Sequence, residues 1–243
     1  MDNMIYLTGS RMSGLVDDLD VVATNLANAN TAGFKATQGR FGAVLAALGP
    51  QAVGQPAGGA APTWPQFGEL QVDFSQGPIR RTDRQLDLAI SGSGFFVVDT
   101  PAGPRYTRKG RLYLSAEGEV TDGAGNTVGT EGGALRVPQG VRDLAVDRSG
   151  QVVADGQAIG RIRLVDIPEP EALVSEGWTN FRNDGRAATP AAGSEIIQGA
   201  VEESNVNPVR EMVVLITVLR AYEASAHIIK KMDAASGELI KAA

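Results

Sequence analysis

Residues able to do chemistry are few in this chain, and their spacing does not bring them together. The single histidine, His227, lies between Ala226 and Ile228 in a helical, apolar stretch. No serine or aspartate is placed by sequence to complete a nucleophilic relay with it. Ser91-Gly92-Ser93-Gly94 departs from G-x-S-x-G and separates two strand-like runs, whereas a nucleophile elbow needs a strand and then a helix. Gly123-Ala124-Gly125 lacks the third glycine of a dinucleotide fingerprint and is followed by strand-like residues. Asp83 and Asp87 form the kind of carboxylate pair that glycosidases use, but 28 acidic residues supply many such pairs. Asp17, Asp18 and Asp20 read as a solvated helical face. With no cysteine there is no thiolate nucleophile, disulfide or cysteine metal site. The expectation is therefore no catalytic, cofactor-binding or metal-binding residue, and no enzyme.

Composition narrows the partners. Of 243 residues, 22 are basic and 28 acidic, a formal net charge of -6. That balance argues against nucleic acid as a partner, because sequence-independent binding to phosphates needs clustered positive charge. Residues 1–14 carry Asp2 and Arg11 and build no continuous apolar core, so no cleaved signal peptide is expected. No uninterrupted apolar run approaches the roughly 18 residues of a membrane span, and no direct membrane insertion is expected.

Two amphipathic helices and a β-rich middle must position whatever function there is. Ile5, Met12, Leu19 and Leu26, with Leu15 and Val22 between them, make a heptad-like seam in the first helix. Asn28, Asn30 and Gly33 follow as residues suited to ending a helix. At the other end Asn207 can cap a helix with Pro208 in its first turn. Met212, Leu215, Leu219, Tyr222 and Ile229 make its seam, and Val214, Val218 and Met232 widen the stripe beyond one partner. Between the helices, from about 71 to 167, short apolar runs alternate with turn signals such as Asp122-Gly123, Ser149-Gly150 and Asp155-Gly156. That spacing predicts an all-β domain, sandwich or barrel-like.

The fold class read from these patterns is a mainly β central domain flanked by N- and C-terminal α-helices that pair as a coiled-coil-like domain. Its expected divisions are an N-terminal helix over 1–35, an Ala/Gly/Pro-rich connector over 36–70, the β domain over 71–181, a return connector over 182–204 and a C-terminal helix over 205–243. Leu86 to Phe96 reads as a β-hairpin, with one of Phe95 and Phe96 buried and the other at a second surface. Trp64 and Trp178 fall outside the β repeats.

Four segments resemble one family, the axial rod and hook proteins of the bacterial flagellum. Val22-Ala23-Thr24-Asn25-Leu26-Ala27-Asn28-Ala29-Asn30-Thr31-Ala32-Gly33-Phe34-Lys35 is similar to its signature A-N-N-[IL]-A-N-x-x-T-x-G-F-[KR], with Thr24 in place of the first asparagine. Leu86-Asp87-Leu88-Ala89-Ile90-Ser91-Gly92-Ser93-Gly94-Phe95-Phe96 resembles L-D-L-A-I-x-G-x-G-F-F, and Tyr106-Thr107-Arg108-Lys109-Gly110 resembles Y-T-R-x-G. Ser204-Asn205-Val206-Asn207-Pro208-Val209, followed by Glu211-Met212, is similar to the family's entry to its last helix.

The resemblance implies a structural subunit of the basal-body rod that polymerises helically and transmits torque from the membrane ring to the hook. Length and the first residues favour the proximal rod over the distal rod. It implies assembly contacts through both seams, with copies of itself and other rod proteins as partners, membrane-ring and export-apparatus components proximally and the distal rod distally. It implies a periplasmic place in the basal body, reached without a cleaved signal. Asn25, Asn28, Asn30, Thr31, Gly33 and Phe34 then carry the family motif, and Ser204, Asn205, Asn207 and Pro208 the helix entry. A reading from another class is a secreted β-rich peptidoglycan- or carbohydrate-binding protein, which would need converging aromatics in a chain with 5% aromatic residues.

Overall fold

The computed structural model describes residues 2–39, 70–185, 187–191 and 193–242. The expected connector's most Gly/Pro-rich part, 43–65, and Trp64 lie outside the described residues. The chain divides into two compact units. One comprises 1–27, 37–71 and 207–243, and the other 28–36 and 72–206.

The first unit is built on two helices. Helix α1 spans Asp2–Ala27 and helix α2 spans Pro208–Ala242. The end of α1 is dictated locally: the Asn28 carbonyl accepts the Thr31 N–H at 3.0 Å, and the Thr31 hydroxyl bonds the Asn28 side-chain oxygen at 3.1 Å. These short-range bonds offer the backbone an alternative to another helical turn. The start of α2 is equally local, because Asn207 Oδ1 accepts the N–H groups of Val209 and Arg210 at 3.1 and 3.2 Å. Pro208 then occupies a position whose N–H would have no helical partner, and Glu211 lies in the first turn, where the helix dipole favours a carboxylate. The two helices lie against each other.

The second unit is mainly β, around a 10-stranded sheet. Strand Phe95–Thr100 sits at its centre, paired along one edge with Gly103–Thr107. Along its other edge Leu164–Asp166 pairs with Phe95 and Phe96, and Thr127–Thr130 with Val98 and Asp99. A separate meander of Leu144–Val146, Gln151–Ala154 and Gln157–Arg161 turns at Asp155-Gly156, where Asp155 has φ 45°. Two positive-φ residues in sequence are what a tight hairpin turn requires.

Both faces of the central strand are covered. Phe96 packs with Leu88, Ile90, Leu112, Val120 and Val128 in one core. Phe95 and Val97 point the other way, into a core with Val165, Ile167, Leu173 and Phe181. There the Phe74 ring stands edge-on to Phe95 and Phe181, with centroids 5.6 and 4.9 Å apart. Alternation along the strand is as expected, but neither phenylalanine reaches a surface. Each serves a different core because this sheet is packed on both sides.

Three further expectations are corrected. Leu86 to Phe96 is no hairpin: Leu88–Ser91 pairs with Glu195–Gln198, while Phe95–Thr100 belongs to the main sheet. The intervening Gly92-Ser93-Gly94 carries the chain from one sheet to another and seats on Ser194, whose hydroxyl accepts the Gly94 N–H at 3.2 Å. The stretch 182–204 is not merely a connector. Glu195–Gln198 and Ala200–Glu202 are strands, the second paired with Ile79–Arg81, because Ile196, Ala200 and Val201 are fully buried. Trp178 lies within the β unit, in the loop between the paired strands Val174–Glu176 and Asn180–Arg182, and is 61% exposed.

Candidate assembly surface and motif junction

On α1 the expected seam is unevenly covered. Val22 is buried and Met12, Leu15, Leu19 and Leu26 are half-buried, whereas Val16 beside them is exposed. Ile5 lies on the same helix. On α2 Leu215, Tyr222 and Ile229 are half-buried, with Glu211, Val218 and Ser225 completing a face of alternating four- and three-residue steps. Met212 and Leu219 fall beside that face and are exposed. They join Val213, Val214, Ile216 and Ile228 in a broad apolar surface, and Val209 at its start is 72% exposed. Met232 follows on the same helix. His227 is exposed here too.

By length and composition the stretch Pro208–Lys231 could cross a membrane, and only 6% of its apolar window is buried inside the chain. Arg210, Glu211, Arg220 and Glu223 interrupt it, and charges are costly in a bilayer centre. An apolar face this large, interrupted by charges, has the character of a surface completed by protein.

The motif residues have separate structural tasks. Asn25 is buried at the end of α1 and pairs with the Thr37 backbone in both directions, donating to its carbonyl at 2.8 Å and accepting its N–H at 2.9 Å. Asn25 Nδ2 also lies 3.4 Å from Glu211 Oε2 in the first turn of α2. The signature asparagine thus touches the acid of the distant E-M motif. Asn28 and Thr31 form the turn after α1, and Asn30 is exposed.

Gly33 does something the capping reading did not anticipate. It has φ 73°, and a Cβ there would stand 2.4 Å from the Lys109 backbone nitrogen. Only glycine accommodates both the backbone conformation and this approach. Phe34 packs beside it in a small cluster with Ala36 and Val206.

Lys35 continues that approach into a buried ion cluster. Its ammonium donates to Glu202 Oε1 and to the Ser75 carbonyl, both at 2.6 Å. Arg108 Nη1 reaches Glu202 Oε2 at 3.4 Å, and its guanidinium lies 5.0 Å from the Phe95 ring centroid. Lys35 and Glu202 have no exposed side-chain surface. Burial pushes the Lys35 ammonium and the Arg108 guanidinium below their ordinary values, and the nearby Glu202 carboxylate opposes both shifts.

Asn205 completes the junction. Its Oδ1 accepts the Ala36 N–H at 2.7 Å, and its Nδ2 donates to the Asp73 carbonyl at 2.8 Å. Ser204 accepts the Val206 N–H, while Asn207 and Pro208 begin α2 as described. Lys35, Arg108 and Glu202 were not among the site residues expected from sequence. The first two stand inside the quoted motifs, but Glu202 is 167 residues from Lys35 and nothing local marks it as the partner.

Elsewhere Asp87 does not form a catalytic carboxylate pair with Asp83. It is fully buried and its Oδ1 lies 3.2 Å from Arg84 Nη1, whereas Asp83 is exposed. Asp122 and Asp147 use their carboxylates to close turns, accepting N–H groups two and four residues onward.

Three family descriptions match separate parts of the chain. Residues 5–35 match the flagella basal body rod protein family, 89–154 the flagellar hook protein FlgE/F/G D1 domain, and 197–242 the flagellar basal body rod FlgEFG protein C-terminal family. The chain is similar to the flagellar basal-body rod protein FlgF of Caulobacter vibrioides, 35% identical over 96% of this chain and 93% of that one. FlgF of Mesorhizobium japonicum is 34% identical, covering 99% and 98%. FlgG of Bacillus subtilis is 28% identical over 97% of each. With both ends and the β unit matched, this chain belongs to the flagellar basal-body rod protein family.

Proposed function

We propose that this chain is a structural, non-enzymatic subunit of the proximal part of the flagellar basal-body rod, polymerising helically to carry torque from the membrane ring toward the hook. The observation that carries this reading is the apolar surface of α2, where Met212, Val213 and Ile216 are each at least half exposed in the single chain. Burial of such a surface is favourable in proportion to its area, and a heterologous contact that does not close produces a helical filament. The full-length similarity to proteins named FlgF favours the proximal rod over the distal one.

In this reading α1 and α2 pair as a coiled-coil-like domain and place the remaining apolar residues against neighbouring subunits. Ile5, Met12, Leu15, Leu19, Val22 and Leu26 on α1, with Met212, Leu215, Leu219, Tyr222, Ile229 and Met232 on α2, supply the assembly contacts. The neighbours are copies of this chain and other rod proteins, with membrane-ring and export-apparatus components at the proximal end and the distal rod beyond. The subunit works in the periplasm.

The test is Leu219→Asp, which places a charge on the exposed surface of α2. The purified variant is expected to keep its circular dichroism and elution volume, while cells carrying it lack the protein in isolated basal bodies and do not swim. Normal incorporation and motility would overturn the proposal.

A further inference from the structure

Within the β unit, one residue ties together the segment that follows α1 and the segment that precedes α2. Glu202 reaches the first segment with both its side chain and its backbone, and its carboxylate also binds Gly77 and Arg108 of the β unit. Its Oε1 takes Lys35 Nζ at 2.6 Å and the Gly77 N–H at 3.0 Å, its Oε2 takes Arg108 at 3.4 Å, and its backbone carbonyl takes the Gly33 N–H at 2.8 Å. Three residues later Asn205 takes the Ala36 N–H at 2.7 Å. Residues 28–36 are therefore held at Gly33, Lys35 and Ala36 by one short stretch, 202–205, far away in the sequence.

We propose that residues 28–36 are a latching strap, and that Glu202 is the positioning residue that locks it onto the β unit. The charges give the latch its discrete character. A buried carboxylate is tolerated when closely paired, and Lys35 is its closest cationic partner. With the strap undocked, Glu202 keeps the Gly77 N–H and the longer Arg108 contact, and the Lys35 ammonium returns to water. Docking exchanges that hydration for the 2.6 Å pair and the Ser75 carbonyl. Partial docking would leave charges buried without close partners, so intermediate positions are disfavoured. Gly33 supplies the steric half of the lock, since its close approach to Lys109 accepts no side chain. The strap thus docks in one register or not at all.

This inference does not depend on rod assembly, and its test uses the purified full-length chain. Lys35→Met keeps the length of the side chain but removes its charge, and Glu202→Gln keeps the shape of the acceptor. Amide hydrogen exchange is measured at Gly33 and Ala36 in the strap and at Val97 and Val128 in the sheet. Each single variant is expected to speed exchange in the strap by at least about tenfold while the sheet amides keep their protection, as local opening requires. The double variant is expected to be no faster than the worse single one, because the two side chains act on each other. Unchanged strap exchange in either single variant would overturn the latch. So would loss of protection in strap and sheet together, which would make the cluster part of the global core, or additive effects in the double variant. A second variant, Asn205→Ala, removes the Ala36 tie without altering a buried charge. It is expected to speed exchange at Ala36 more than at Gly33, and equal acceleration at both sites with loss of sheet protection would also overturn the proposal.

Discussion

The β unit and helix α2 invert each other's surface chemistry. In the β unit Lys35, Arg108, Glu202 and Asp87 are buried, alongside cores that hide Phe95, Phe96 and Phe181 almost completely. On α2, Val209, Met212, Val213, Ile216 and Leu219 face outward. The first arrangement is finished within one chain: the two fully buried carboxylates have cations within reach, Lys35 and Arg108 for Glu202 and Arg84 for Asp87, and buried Asp122 accepts the N–H groups of its own turn. The second is unfinished, since apolar area remains in water that only another surface can remove. The difference separates what folding accomplishes from what association must accomplish, and it locates the two on different parts of the chain.

The largest effect on stability is expected where the β unit is most complete. Phe96→Ala removes a ring packed among Leu88, Ile90 and Val128, and such truncations cost about 3–5 kcal/mol. Val213→Ala on α2 removes an exposed side chain, and surface changes of that kind stay within about 0.5 kcal/mol. Urea unfolding followed by near-ultraviolet circular dichroism measures both. A similar loss for the two variants would erase the contrast and mean that α2 is already packed in the isolated chain.

A smaller loss is expected from Gly33→Ala. The added methyl meets the Lys109 backbone at 2.4 Å, and alanine is strained at φ 73°. Strain of this kind costs about 1–3 kcal/mol, here charged to the β unit although the residue directly follows the helix signature. A shift in the unfolding midpoint of the sheet places residue 33 with the β unit. A change confined to the helical signal at 222 nm would place it with α1 and redraw the boundary between the two regions.

The same examples explain what could be read from the sequence. The presence of both helices and the entry to α2 were legible because the determinants are neighbours, as where Asn207 bonds residues two and three ahead. Helix α1, by contrast, ends at Ala27, short of the expected 35, where Asn28 bonds Thr31 and 28–36 join the β unit. The mainly β character was legible from turn residues at short spacing, and the family motifs marked the right segments. Partners at long range were not. Gly94 leans on Ser194, 100 residues away, so the local turn signal at Ser91–Gly94 suggested a hairpin where the chain changes sheets. Gly, Ala and Pro at 185–193 suggested a connector and obscured the buried Ile196, Ala200 and Val201 that follow. Gly33 announced a special backbone conformation but not its contact with Lys109, and Lys35 announced a motif but not its carboxylate.

The mildest test of the contrast lies at the entry to α2. Asn207→Ala removes the side-chain acceptor for the Val209 and Arg210 N–H groups, 3.1 and 3.2 Å away, and loss of such a cap costs about 1 kcal/mol. Because the first turns of α2 expose Val209, Met212 and Val213, little packing holds them in place once the cap is gone. The loss is expected as faster amide exchange over 209–213, with the β unit's unfolding midpoint unchanged. A midpoint that falls by the full amount would mean that the helix entry and the sheet unfold as one cooperative block. The outward-facing helix would then share the stability of the finished β unit, and the separation between folding and association would have to be drawn farther along α2.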